Sequence, residues 1–249
     1  MTAAESAPRL DGSGTPEAAW AASRLDRLPL LELGDYRRAV VVAPHPDDEV
    51  LGCAGLMQRL AQKGVPLTIV AVTDGESSHP DSPTVTRSVL AALRTFERGM
   101  ALERLGIVAQ IYRLGLPDGG VAAHSADLAA CLRGLLAPQV LCVAPWEHDG
   151  HPDHDAAGAA AHEASSAGGA TLLRSMIWTW HWAAPDDPRV PWLRARRLPL
   201  SQGETSGKQR AIATFASQIA PLSNQPGDET ILPQGVVAHF QRSHEVFLR

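Results

Sequence analysis

Residues 39–49 read AVVVAPHPDDE. The first five are apolar and mostly β-branched, with no polar residue alternating among them. That is the pattern of a parallel strand buried on both faces. Pro46 biases the residue before it away from helix, so the strand ends at His45. The turn that follows packs one imidazole and three carboxylates into five residues. So short a turn can aim His45 and one aspartate at a single point, and imidazole nitrogen and carboxylate oxygen are suitable zinc ligands. Glu49 reads as a helix-start residue or an orienter of its neighbours.

Outward from this stretch the pattern alternates. Val50, Ala54, Met57 and Ala61 recur at helical spacing over 50–63, and Gly64 is the stop. Residues 67–72 (LTIVAV) form a second buried strand, and 77–86 is a Ser/Pro-rich loop. A helix is expected over 85–105 with Val89, Leu93, Phe96 and Met100 on its apolar face. A strand follows at 111–114, then a turn at 117–120 and a helix to 136 capped by Ser125. Residues 140–144 (VLCVA) give a fourth strand, and helix resumes over 153–165. Alternating strands and helices predict an α/β fold, a Rossmann-like three-layer sandwich with a mostly parallel sheet. Ligands in such sheets bind beyond the carboxyl ends of the strands. Further on, 172–182 reads as a strand, which puts Trp178, Trp180 and Trp182 on one face, read as a packed core face with a stacking platform for a sugar or aromatic aglycone as the sharper alternative. Helix is expected over 205–219 and a Pro/Gly-rich loop over 221–235. Residues 1–16 read as a disordered or peripheral segment and 17–249 as a single domain.

A second polar run, WEHDGHPDHD over 146–155, follows the fourth strand and so lies on the same sheet edge as the first. His151 and His154 are three apart at a helix start, where one turn brings them together. A catalytic zinc site takes three protein ligands and leaves a position for water. His45, Asp48 and one of these histidines supply three.

The bulk numbers exclude other classes. A net charge of −5 across 249 residues argues against a nucleic-acid or anionic-membrane partner. The basic knot of Arg194, Arg196 and Arg197 reads as a solvated strand end. No stretch approaches the roughly 20 apolar residues that span a bilayer. Cys53, Cys131 and Cys142 lie in apolar surroundings with no CxxC pairing, which suits buried thiols in a reducing cytoplasm. Gly52 and Gly55 lack the full dinucleotide fingerprint. His79 reads as a solvated loop histidine, with a place in a mobile lid as the sharper alternative.

HPDDE (His45–Glu49) and HPDH (His151–His154) together resemble the LmbE-like, or PIG-L, superfamily of zinc-dependent N-acetyl-sugar deacetylases. Thr73-Asp74-Gly75-Glu76, Arg94-x-x-Glu97, Pro117-Asp118-Gly119, Lys208-x-x-Ala211-Ile212 and Ser217-Gln218 resemble it more weakly. The resemblance implies one Zn2+ per chain on His45, Asp48 and His154, with Asp47 as general base. It implies that His151 stabilises the oxyanion, that Asp153 orients His151, and that Arg94 and Asp118 hold sugar hydroxyls. Some members have a tyrosine where this chain has Asp149. An acid there is expected either to keep His151 protonated or to meet a cationic substrate group.

The expected activity is removal of an acetyl group from an N-acetylglucosamine-type sugar in a small glycoconjugate. The runner-up is an amidase for larger acyl or thiol-conjugate amides. A metallophosphoesterase would need a second metal, for which His148 and Asp155 are the candidates. A silent sugar-binding relative is disfavoured by retention of every HPDDE and HPDH residue. A homo-oligomer stays open.

Overall fold

The computed structural model describes residues 14–249. The peripheral reading of 1–16 falls almost wholly outside them. The elements run α1 (Glu17–Ala21), β1 (Arg38–Ala43), α2 (Asp48–Gln62), β2 (Leu67–Ala71), α3 (Arg87–Arg104) and β3 (Ala109–Arg113). There follow α4 (Ser125–Leu135), β4 (Val140–Pro145), α5 (Pro152–Gly168), β5 (Thr171–Ser175) and α6 (Thr179–Trp182). The chain finishes with β6 (Ala195–Pro199), α7 (Gln202–Ile212), α8 (Ala216–Ile219), α9 (Gln234–Val237) and β7 (His244–Leu248).

Among the described residues, seven strands lie in the order β3-β2-β1-β4-β5-β7-β6. The first five are parallel, and β7 and β6 join antiparallel. β1 is central, and all its residues from Ala39 to Ala43 are buried, as its apolar run requires. Alternate side chains feed two cores. Val41, Ile69 and Leu141 pack with α2 on one face, while Val40, Val70 and Cys142 pack with α4 and α5 on the other. In α5, Gly158 sits where a Cβ would fall 2.5 Å from the Pro145 carbonyl. That close approach seats the helix against the end of β4. Strand order reverses between β1 and β4, so a crevice opens at their carboxyl ends. Both polar runs empty into it.

Several local readings are corrected. β5 stops at Ser175, and 178–182 turns into helix, so the three tryptophans do not share a strand face. The cause is the buried Asp149 carboxylate, which collects the amides of Ile177, Trp178 and Thr179, each at 3.0 Å, and caps a helical turn. The indoles then diverge. Trp180 packs edge-on to Trp20 with centroids 5.0 Å apart, Trp182 donates to the Asp149 carbonyl at 2.7 Å, and Trp178 faces the crevice. α3 is rotated from its expected face: Val89 and Phe96 are 50% and 65% exposed, while Arg94, Glu97 and Arg98 are buried. Those three face inward because each has a partner there, Asp47, Ser217 and Glu49 respectively. Ser125 opens α4 without capping it, and its hydroxyl turns back to the Ala122 carbonyl. The helix expected over 205–219 breaks between α7 and α8. The strand end read at Arg194, Arg196 and Arg197 falls at the start of β6, but its antiparallel pairing and its partner β7 carried no recognised signal in the sequence. All three cysteines are free thiols, Cys131 only partly buried. No helix among the described residues is long and apolar enough to cross a membrane.

Candidate active site

The turn after β1 delivers three side chains to one point. Asp48 opens α2, and its Oδ2 accepts from the His45 backbone amide at 2.8 Å. That bond folds the carboxylate back toward the imidazole of the same turn. Asp48 Oδ2 lies 3.3 Å from His45 Nδ1 and 3.3 Å from His154 Nε2, and the two nitrogens are 3.3 Å apart. Tetrahedral zinc with bonds of about 2.0–2.1 Å to nitrogen and oxygen sets its ligands about 3.3 Å apart. The triangle therefore fits a small divalent cation without movement.

Buried carboxylates hold the far side of each ring. His154 Nδ1 meets Asp149 Oδ2 at 2.8 Å, both residues having no solvent exposure. His45 Nε2 lies 3.1 Å from Asp118 Oδ1 and 3.3 Å from Asp153 Oδ2. Carboxylates in these positions fix the tautomer and raise the basicity of metal-ligating histidines. The same charges set the local field. Burial lowers the affinity of both rings for a proton, yet the carboxylates outweigh it, lifting His154 to about 9 and His45 well above its ordinary value. Burial also opposes ionisation of Asp48, but the two rings hold it well below the usual carboxylate range. The field favours positive charge at this point, which suits a cation as well as a proton.

Asp47 is the reverse case. Burial pushes it up to about 7, against the opposing Arg94 guanidinium and with the help of Asp48. Its backbone is held at φ 152°, a conformation that costs a non-glycine residue about 1–3 kcal/mol. Arg94 Nη2 donates to Asp47 Oδ2 at 3.0 Å and to the Pro46 carbonyl at 3.3 Å, while Nη1 donates to the Gly75 carbonyl at 2.9 Å. A Cβ at Gly75 would fall 2.2 Å from that guanidinium. Arg94 thus holds Asp47; three of its five N–H groups are taken up by Asp47, Pro46 and Gly75, and its buried Nε has no partner among the described residues. Asp118 does line the cavity, with Oδ1 on His45 and Oδ2 accepting from the Ser77 amide at 2.7 Å.

His151 stands beside the triangle, its ring centroid 4.9 Å from that of His45 and 5.0 Å from that of His154. Its Nδ1 accepts from the Asp153 backbone amide at 3.2 Å, so a neutral ring carries its proton on Nε2. Burial and the neighbouring His154 and His45 charges depress it to about 4. Two expectations change here. The Asp153 carboxylate turns away from His151, to His45 and to the amides of Gly119 and Val121. Asp149 neither keeps His151 protonated nor meets a substrate cation; it is buried behind His154. The second-metal candidates do not assemble: His148 is exposed and packs edge-on to Trp146, and Asp155 accepts from the Gly150 amide.

The cavity over these residues measures about 220 Å³. Two distant loops close it. Ser77 and Ser78 come from the loop before α3, and Ile231 and Leu232 from the loop before α9. The loops are fastened at the buried Asp228, whose carboxylate accepts from Ser82, Thr84 and Ser223 at 2.5–2.6 Å. His79 is buried, not solvated, and its Nε2 bonds the Glu229 carbonyl at 3.0 Å, a second tie. Nothing in the local spacing of Asp228 or Leu232 marks them from the sequence. For Asp149 the signal was present, an acid five residues before a ligating histidine, but its direction was not legible.

Several known proteins resemble this chain. A probable N-acetyl-α-D-glucosaminyl L-malate deacetylase of Bacillus anthracis is 34% identical over 135 residues, covering 51% of this chain and 59% of that protein. Diacetylchitobiose deacetylase of Thermococcus kodakarensis is 30% identical over 151 residues, covering 59% of this chain and 56% of that one. The chain thus spans under two thirds of the length of these curated relatives. Among solved structures, a conserved Thermus thermophilus protein matches with TM-score 0.60 and 26% identity over 85% of this chain and 93% of that one. The fold also matches N,N'-diacetylchitobiose deacetylase of Pyrococcus horikoshii, with TM-score 0.58, 21% identity, and coverage of 72% and 70% of the two chains. The PIG-L model, described as GlcNAc-PI de-N-acetylase, matches residues 40–165, the span that carries both histidine motifs. With its crevice at the β1/β4 reversal and its His/Asp triangle inside that match, the chain belongs to the PIG-L family.

Proposed function

We propose that this protein is a zinc-dependent N-deacetylase acting on an N-acetylglucosamine-type sugar in a small glycoconjugate, with one zinc on His45, Asp48 and His154. The observation that carries the reading is the triangle of ligand atoms at 3.3 Å, backed by a carboxylate behind each histidine. Names of the similar proteins, deacetylases of malate and chitobiose sugars, point the same way. The reading treats residues 17–249 as one domain, which the burial of Trp20 against Trp180 and Trp192 supports.

Amide hydrolysis needs an activated water, a stabilised tetrahedral oxyanion and a protonated leaving amine. His45, Asp48 and His154 would hold the divalent cation, which would supply Lewis acidity and lower the pKa of a bound water. Asp47, which burial raises above the usual carboxylate range in the metal-free protein, is placed to take a proton from the attacking water and to return it to the leaving nitrogen. Arg94 holds that carboxylate in register. His151, neutral with its proton on Nε2, donates a hydrogen bond where the oxyanion develops. Asp153 fixes that tautomer through its backbone amide and His45 through its carboxylate.

The test is primary-amine release from N-acetylglucosamine glycosides by zinc-loaded protein, chelated protein and Asp47→Ala. Release should require metal, and Asp47→Ala should bind zinc yet lose about 10²–10⁴-fold in kcat. Near-normal turnover by Asp47→Ala would remove the base assignment. Release that survives complete chelation would remove the metal from the reading.

A further inference from the structure

We infer that the cavity selects an N-acylated amino sugar whose aglycone is uncharged and apolar or aromatic, and that Trp178 is the platform against which this group lies. The inference rests on the deacetylase reading above and extends it to the substrate class.

Of the three tryptophans on the turn after β5, two are accounted for by structure. Trp180 is 4% exposed within the Trp20 and Trp192 cluster, and Trp182 is fixed by its bond to the Asp149 carbonyl. Trp178 alone lines the active-site cavity, half-buried, its ring near-parallel to that of His151 with centroids 6.4 Å apart and an interplanar angle of 21°. Its position relative to the ligand triangle is preset. The Asp149 oxygen that holds His154 Nδ1 at 2.8 Å also accepts the Trp178 backbone amide at 3.0 Å. One buried oxygen therefore registers a ligating ring and an indole together. An aromatic surface so fixed binds at little conformational cost.

The remaining wall is of the same character. Leu51, Ile177, Ile231 and Leu232 face the cavity, and Ser77, Ser78 and Gln218 give hydroxyls and an amide suited to sugar hydroxyls. Among the described residues the one Lys or Arg lining it is Arg94, whose charge is paired with Asp47 through Nη2 at 3.0 Å and which also donates to the Pro46 and Gly75 carbonyls. The carboxylates of Asp47, Asp48 and Asp118 face the same space. An anionic aglycone, such as the malate in the name of the Bacillus anthracis relative, would leave water for a cavity in which the one guanidinium among the described residues is already paired with Asp47 and three carboxylates face the same space. An aryl or alkyl aglycone would exchange water for Trp178 and the leucine and isoleucine side chains.

Zinc-loaded wild type and Trp178→Ala are compared on the phenyl, methyl and malyl N-acetylglucosaminides. Wild type should rank phenyl above methyl above malyl in kcat/KM. In Trp178→Ala the phenyl-to-methyl ratio should fall roughly three- to ten-fold, the range of an aromatic contact. Equal loss on both glycosides, an unchanged ratio, or a preference for the malyl conjugate overturns the inference. Calorimetric binding of the same glycosides to zinc-loaded Asp47→Ala separates the two readings. If wild type releases no amine from any of them, the deacetylase reading fails. The binding ratio then decides the platform: phenyl over methyl, lost in Trp178→Ala, sustains it, and equal affinities overturn it.

Discussion

Asparagine at position 149 exchanges one carboxylate oxygen for an amide nitrogen. Asp149 Oδ1 accepts from the Ile177 and Thr179 amides and the Thr179 hydroxyl, and Oδ2 accepts from His154 Nδ1 and the Trp178 amide. An asparagine that keeps its oxygen toward the three donors turns its NH2 toward the other two. The Trp178 N–H then has no acceptor, at a cost of about 1–3 kcal/mol. The His154 ring can satisfy the new donor only by making Nδ1 an acceptor. Its proton then sits on Nε2, the atom that belongs to the ligand triangle. Metal binding must displace that proton or break the new bond. We expect Asp149→Asn to lose about 10–100-fold in zinc affinity, equivalent to about 1.4–2.7 kcal/mol, measured by competition with a chromophoric chelator. The metal-free protein should lose about 2–4 kcal/mol in urea unfolding and melt about 4–12 °C lower. Asp118→Asn is the control, and should weaken zinc less, because His45 Nε2 keeps Asp153 at 3.3 Å. Zinc affinity for Asp149→Asn within about threefold of wild type, with unchanged stability, would refute the tautomer reasoning.

Other measurements probe the scaffold around the site. Glu245→Ala would strand Lys208, which is 3% exposed and bonded to Glu245 at 2.8 Å, and would release the Gly55 and Leu56 amides that the kink at Cys53 turns toward that carboxylate. We expect a loss of about 3–5 kcal/mol by urea titration, and a loss under about 1 kcal/mol would show that water reaches the ammonium. His244 is depressed to about 4 by burial and the nearby Arg242 and Arg197 charges. Its folded value lies below its unfolded one, so below pH 6.5 the unfolded chain binds more protons, and the destabilisation grows as pH falls from about 6.5 to about 4. The difference in urea midpoint between wild type and His244→Gln should therefore shift in favour of the variant from pH 7 to pH 4.5, and a pH-independent difference would contradict the half-buried neutral ring. Asp228→Ala should loosen both cavity loops, raising KM for the glycosides with kcat less affected; an equal change in both would place the loops in the chemical step rather than in binding.

The chain order already contained the frame. The AVVVA and VLCVA runs specify strands buried on both faces because neither has a polar residue to expose, and alternation with helices then forces parallel pairing. Proline after each first histidine stops the preceding backbone, so His45 at the first motif and His151 and His154 at the second were legible as a cluster on one sheet edge. What the sequence could not assign was the partner of each polar group, since hydrogen-bond direction depends on residues far apart in the chain. Asp153 serves His45 across 108 positions, and Asp149 binds a turn 28 to 30 residues on. The helix of α3 was legible but its face was not: it turned Leu90, Ala101 and Leu102 inward together with Arg94, Glu97 and Arg98, which found Asp47, Ser217 and Glu49 in the interior, and buried charge must be paired. The alternation of Trp178, Trp180 and Trp182 fitted a strand until one buried carboxylate, placed there only by the folded sheet, supplied the three acceptor contacts that make it a helical turn.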